Sequence, residues 1–206
     1  MLSNIVEDGK PIGNRREGFG WHTDLTYMPV PPAYTILYAL EVPPVGGETL
    51  FASLYRAWDT LDDAVRDRPR GLRTVHWYPH MYNKRVGVAP LTEAQLARTP
   101  PVTQPVVRLH PATGREGMYL NLGDCVGIEG LDGTAQYATM ALIAELYDYT
   151  TENFCYRHHW RPGDLLIWDN RGALHTATDY DTERHRRRVW RTSVVGEVPI
   201  GWQPAA

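Results

Sequence analysis

The chain has 206 residues, a net charge of -3, 22% charged residues and 43% hydrophobic ones. These values suit one globular domain and exclude a disordered chain or a strongly basic nucleic-acid-binding surface. The two cysteines, Cys125 and Cys155, lack Cys-x-x-Cys spacing and support neither a disulfide framework nor a structural zinc site.

In chain order, residues 1–20 (MLSNIVEDGKPIGNRREGFG) are polar and glycine-rich without clean periodicity. They read as an N-terminal arm, or the remnant of a longer N-terminal region, ahead of a single domain over 21–206. They also lack the apolar core of a signal peptide, and no later run approaches the roughly 18 apolar residues of a membrane span. The expectation is a cytoplasmic protein with no nucleic-acid partner and no membrane partner.

Residues 34–42 (YTILYALEV) are β-branched and aromatic and end at Pro43-Pro44, as a strand would, and Gly46-Gly47 then allows a sharp turn. Leu54, Ala57, Trp58, Leu61 and Val65 recur at helical spacing and predict one amphipathic helix over 54–66. Residues 69–103 look like a long irregular insertion with one short helix in TEAQLAR behind a threonine cap. A hairpin is expected from 106–109 and 118–122 across HPATGRE, and a helix after Gly133. Strands are expected at 154–160, 164–168 and 187–195, with a tight turn at Arg161-Pro162-Gly163-Asp164. The fold class that follows is mainly β with flanking helices, a double-sheet jelly roll of the cupin-like, double-stranded β-helix kind.

His22-Thr23-Asp24 precedes the first clear strand, and His175 follows the strand-like DLLIWDN. Two imidazoles and one carboxylate on one face of a metal suit iron(II) and leave three positions open. In a strand, residues i and i+2 point to the same side, so His22 and Asp24 could both reach one ion. His76, His80, His110, His158, His159 and His185 have no partner at metal spacing and read as surface or core hydrogen-bonding groups.

The stretches WHTDLTYMPVPP, EVPPVGGETLFAS, RLHPATGREGMYLN, RPGDLLIWDNRGALHTATDY and RRRVWRTSVVGEVP together resemble the taurine dioxygenase (TauD/TfdA) family, from about Gly20 to Pro199. The resemblance implies an Fe(II)- and 2-oxoglutarate-dependent dioxygenase. Such an enzyme uses O2 to hydroxylate a small, anionic substrate and releases succinate and CO2. It assigns His22, Asp24 and His175 as metal ligands and catalytic residues, and Thr49 as a contact to the C5 carboxylate of 2-oxoglutarate. The second contact is an arginine beyond the distal histidine, where Arg184, Arg186, Arg187, Arg188 and Arg191 crowd together. Anchoring on VVGEVP favours Arg187, with Arg186 left as the other choice for the clamp.

Strand parity puts Arg187, Val189, Arg191 and Ser193 on one face, so an inward Arg187 makes Arg191 a substrate-binding candidate. Asn121, Trp168 and Asn170 could support the site, and Trp21 and Tyr27 could line it. The retained Asp24 favours hydroxylation over halogenation, since related halogenases carry a small residue there. Only 21 residues precede His22, so the family histidine that helps bind taurine's sulfonate has no counterpart, and taurine is not expected. Two other readings stay open: a truncated or degenerate relative that binds metal and small acids, and a cupin-like metalloenzyme that does not use 2-oxoglutarate. A homo-oligomer is also left open.

Overall fold

A computed structural model describes residues 1–13, 18–85 and 88–204. Residues 14–17 of the expected arm, and 86–87 and 205–206 of the expected domain, lie outside the described residues. The chain opens with three two-residue strands, β1 (Leu2–Ser3), β2 (Val6–Glu7) and β3 (Lys10–Pro11). Next come β4 (Pro32–Glu41), β5 (Thr49–Ser53), α1 (Leu54–Thr60) and α2 (Asp63–Asp67). The middle holds β6 (Arg73–His76), α3 (Tyr78–Tyr82), α4 (Glu93–Ala97), β7 (Val102–Pro105), β8 (Val107–Leu109), β9 (Glu116–Met118) and β10 (Cys125–Ile128). The rest is α5 (Gly133–Asn153), β11 (Cys155–His158), β12 (Leu165–Asp169), β13 (Ala173–Ala177), β14 (Arg188–Val195) and β15 (Ile200–Gly201).

Two antiparallel sheets form the jelly roll, one in the order β1-β14-β4-β12 and the other β11-β5-β13. Along β4 the period of two is plain: Ala33, Thr35, Leu37 and Ala39 are buried while Tyr34 and Tyr38 are exposed. Leu37, Ala39, Trp168 and Val189 point inward and pack with Phe51 of the second sheet. Phe51 meets Trp168 edge-on with ring centroids 5.2 Å apart. A larger cluster lies beside this one, where Leu142, Ile143 and Leu146 of α5 pack with Leu54, Ala57 and Trp58 of α1. The helices thus brace the sheet that carries β5 and β13. No helix of the described residues is long and apolar enough to cross a membrane.

Among the expectations that change, the second strand of the hairpin is β9, Glu116–Met118, rather than 118–122. The helix expected over 54–66 divides at Leu61 and Asp62, both extended, with Asp62 at the N-cap position of α2 but making no side-chain capping bond. Thr60 bonds back to the carbonyls of Arg56 and Ala57, a local alternative that helps end a helix. The supposed insertion contains β6 and β7, which pair with each other across it, so residues 69–103 are not irregular throughout. Finally, β1 lies along β14 with Leu2 opposite Val189, so order begins well before Trp21. A two-residue strand is too short to show periodicity in a sequence.

Candidate metal centre

His22 and His175 face each other in an isolated antiparallel bridge: His22 N donates to His175 O at 3.0 Å and His175 N to His22 O at 2.8 Å. Opposed residues in such a pair project to the same side, which sets the two rings 4.2 Å apart. His22 is therefore held by a single bridge, and the strand expected for the His-x-Asp motif is absent. Beyond it the chain turns, with Leu25 at φ 54° and Met28 N donating to Leu25 O. Asp24 nevertheless reaches the same side. Its Oδ1 lies 3.8 Å from His22 Nε2 and 3.7 Å from His175 Nε2. Ligand atoms of the three residues all lie within 4.8 Å of one another, the one such cluster among the described residues.

The donor chemistry fits a divalent metal. His22 Nδ1 donates to Gly20 O at 2.7 Å, which fixes the tautomer and leaves the Nε2 lone pair toward Asp24. Burial pushes the His175 imidazole down to about 3, reinforced by His22 and Arg191 and opposed by Asp24, so the ring is neutral at ordinary pH. Burial works to raise the Asp24 carboxyl. His175, Arg191, the Thr35 hydrogen bond and His22 outweigh it and hold the group below its usual value. The result is two imidazole nitrogens, that of His175 held neutral, and a carboxylate at the wall of a cavity of about 370 Å³.

Thr49 and Arg187 line the same cavity. The turn before Thr49 needs its glycines: Gly46 and Gly47 have φ of 77° and 68°, and a Cβ on Gly46 would sit 2.4 Å from Asp179 O. This close approach, with Gly47 N bonded to Asp179 O, locks the start of β5 against the loop that runs on to Arg187. Thr49 Oγ1 accepts from Trp160 Nε1 at 3.0 Å. Arg187 is 7% exposed, its Nε has no hydrogen-bond partner, and burial depresses its pKa against a small opposing pull from Tyr180. No carboxylate of the described residues pairs with it. By contrast, Arg186 lies outside, exposed and paired with Glu41 at 3.0 Å.

The parity argument holds as far as Arg191: Arg187 and Val189 are buried and Arg191 lines the cavity, while Ser193 is exposed. Arg191 Nη2 reaches Asp24 Oδ1 at 2.8 Å. Trp21, Tyr27, Asn121 and Trp168 also line the cavity. Sequence reasoning missed Thr35 and Asp124. Thr35 is the one buried polar side chain of β4, and it bonds to Asp24. A lone polar residue in an apolar inward row is a signal that could have found it. Asp124, 1% exposed, accepts from Thr26 at 2.6 Å and pairs with His76 at 2.8 Å, bracing the turn after Asp24. His76 is thus a buried hydrogen-bonding group, as expected.

A family model described as "Taurine catabolism dioxygenase TauD, TfdA family" matches residues 2–193. An alpha-ketoglutarate-dependent 2,4-dichlorophenoxyacetate dioxygenase of Cupriavidus pinatubonensis is 35% identical, covering 97% of this chain and 70% of its own. Another of the same name from Burkholderia sp. is 32% identical over 95% of this chain and 66% of its own, so the chain spans about two thirds of these curated relatives. Among solved structures, AAD-2 in complex with Mn(II) and N-oxalylglycine superposes with a TM-score of 0.79 at 30% identity, over 90% of this chain and 71% of that one. A taurine dioxygenase from Burkholderia xenovorans gives 0.73 at 31% identity, over 88% and 60%. With nearly its whole length matched, from the first strand to the strand that bears Arg191, this chain belongs to the TauD/TfdA family.

Proposed function

We propose that this chain is an Fe(II)- and 2-oxoglutarate-dependent dioxygenase in which His22, Asp24 and His175 hold the metal, and which hydroxylates a small anionic organic substrate, releasing succinate and CO2. One observation carries the reading: a two-histidine, one-carboxylate cluster shares a cavity with a buried arginine whose Nε has no hydrogen-bond partner. A buried cation is costly unless an anion meets it, and a dicarboxylic oxoacid chelated at the metal would bring its far carboxylate to that wall. A cupin-like metalloprotein without such a cosubstrate has no use for Arg187. When bound, the iron supplies oxidation of an unactivated C–H bond by O2, with 2-oxoglutarate as the electron source.

The side chains have separable tasks. Nε2 of His22, Nε2 of His175 and Oδ1 of Asp24 would hold the metal, and the cavity beside them would be left for cosubstrate and O2. Arg187 and the Thr49 hydroxyl hold the C5 carboxylate, and the guanidinium fork gives that contact direction as well as charge. Arg191, at the metal side of the cavity, holds an anionic group of the substrate so that the carbon to be oxidised faces the iron. The carboxylate at position 24 fills the place a halide would need, so the outcome is hydroxylation. Relatives named for 2,4-dichlorophenoxyacetate and (S)-phenoxypropionate support aryloxyalkanoates as the first substrates to try.

The test is anaerobic addition of Fe(II) and then 2-oxoglutarate to folded protein. Chelation gives a weak visible charge-transfer band, and a folded protein without that band overturns the reading.

A further inference from the structure

Asp24 turns only one oxygen toward the two imidazoles. Oδ1 faces His22 and His175, while Oδ2 accepts a hydrogen bond from Thr35 Oγ1 at 2.5 Å. Behind Thr35, Asn170 Nδ2 donates to Thr35 Oγ1 at 2.9 Å, and Asn170 Oδ1 accepts from Trp168 Nε1 at 2.8 Å. All four residues are buried.

The direction of every bond in this row is fixed at its far end. An indole N–H can only donate, so the carbonyl oxygen of the Asn170 amide must face Trp168 and its NH2 must face Thr35. Thr35 then receives a proton on its oxygen and has one of its own, which goes to Asp24 Oδ2. A flipped Asn170 would set two donors against each other at Trp168 and leave the row broken in a buried site. The backbone adds a second tie, since Thr23 Oγ1 donates to Asn170 O at 2.8 Å. Trp168 also packs on His175 with ring centroids 4.7 Å apart, so one residue braces both sides of the cluster.

We propose that Trp168, Asn170 and Thr35 act as positioning residues that make Asp24 a one-oxygen ligand. A carboxylate free to rotate can give both oxygens to a metal and so fill a position that O2 or the cosubstrate needs. Holding Oδ2 in a hydrogen bond prevents this, and the row therefore sets how many positions stay open. The inference rests on the metal reading above. It goes further in assigning the coordination number to three residues that touch neither metal nor substrate as donors.

The experiment counts exchangeable waters on Mn(II) bound to the protein, by line broadening in 17O-enriched water. Stoichiometric Mn(II) binding by the wild type is the control, and its failure sinks the metal reading itself. Thr35→Val keeps the shape but removes the hydroxyl, and should carry one exchangeable water fewer than wild type; Thr35→Ser should restore the wild-type count. Trp168→Phe frees the Asn170 amide without touching Thr35, and should give a count between the two. It also serves if Thr35→Val does not fold. A wild-type water count in a folded Thr35→Val protein, or in Trp168→Phe, overturns the proposal. A purely structural role would lower the melting temperature and leave that count unmoved.

Discussion

Arg191 Nη2 lies 2.8 Å from Asp24 Oδ1, the same oxygen that faces both imidazoles. A fixed positive charge therefore stands beside the atom proposed to bind a divalent cation. Charges a few ångströms apart near a protein surface interact by about 4 kcal/mol at most, reduced where water reaches them, and Arg191 is part-exposed. Arg191→Met should tighten Mn(II) binding by about 10-fold, since one repulsion is removed, and should raise KM for an anionic substrate. Titration calorimetry with Mn(II) checks the first effect. Weaker metal binding in the variant would mean that Arg191 instead holds Asp24 in place.

Arg187→Gln removes the buried charge but keeps much of the bulk. Hydrogen bonds to charged groups contribute about 1.5–3 kcal/mol, so 2-oxoglutarate should bind about 10- to 100-fold more weakly while Mn(II) affinity stays as it was. Metal and cosubstrate titrations separate the two. Equal loss of both would remove Arg187 from the clamp. Arg186→Gln, which alters an exposed pair with Glu41, should leave both constants unchanged.

Thr49→Val leaves the Trp160 indole N–H without its acceptor in a buried setting. The stability cost should be about 1–3 kcal/mol, visible as a lower melting temperature in the metal-free protein, together with weaker 2-oxoglutarate binding. Thr49→Ser should recover both.

His175 gives the metal-free protein a characteristic pH dependence. Its folded-state pKa is about 3, below the unfolded value of 6.5, so between those limits the unfolded chain takes up a proton that the folded chain refuses. Stability from this group is complete above about pH 6.5 and is lost as pH falls toward 3, at about 1.4 kcal/mol per unit. Urea melts at several pH values in that window, on wild type and His175→Gln, should give a steeper slope for the wild type. Parallel slopes would show that the imidazole is not held neutral.

The jelly roll was legible because β4, β12 and β14 are long enough to show alternation or β-branched content, and because the turn at 161–164 has unambiguous chemistry. β13 was not recognised as a strand although it carries His175: five residues reading ALHTA have no clear period. The metal cluster itself was legible from residue types in a family frame. What places His22 opposite His175 is a backbone bridge, and a one-residue pairing leaves no trace in a sequence. The hydrogen-bonded row behind Asp24 was half-legible, since Trp168 and Asn170 stand out in WDN while Thr35 hides inside a strand.

Asn4 reaches far along the chain: its Nδ2 donates to the carbonyls of Thr182 and His185, and its Oδ1 accepts from Arg187 N at 2.8 Å. A side chain from the link between β1 and β2 thus stitches down both ends of the segment that delivers Arg187 to the cavity. Tags, linkers or trimming at the amino end are consequently not neutral choices for an assay: disturbing a few residues there would slacken the segment that carries Arg187, the proposed anchor of the cosubstrate.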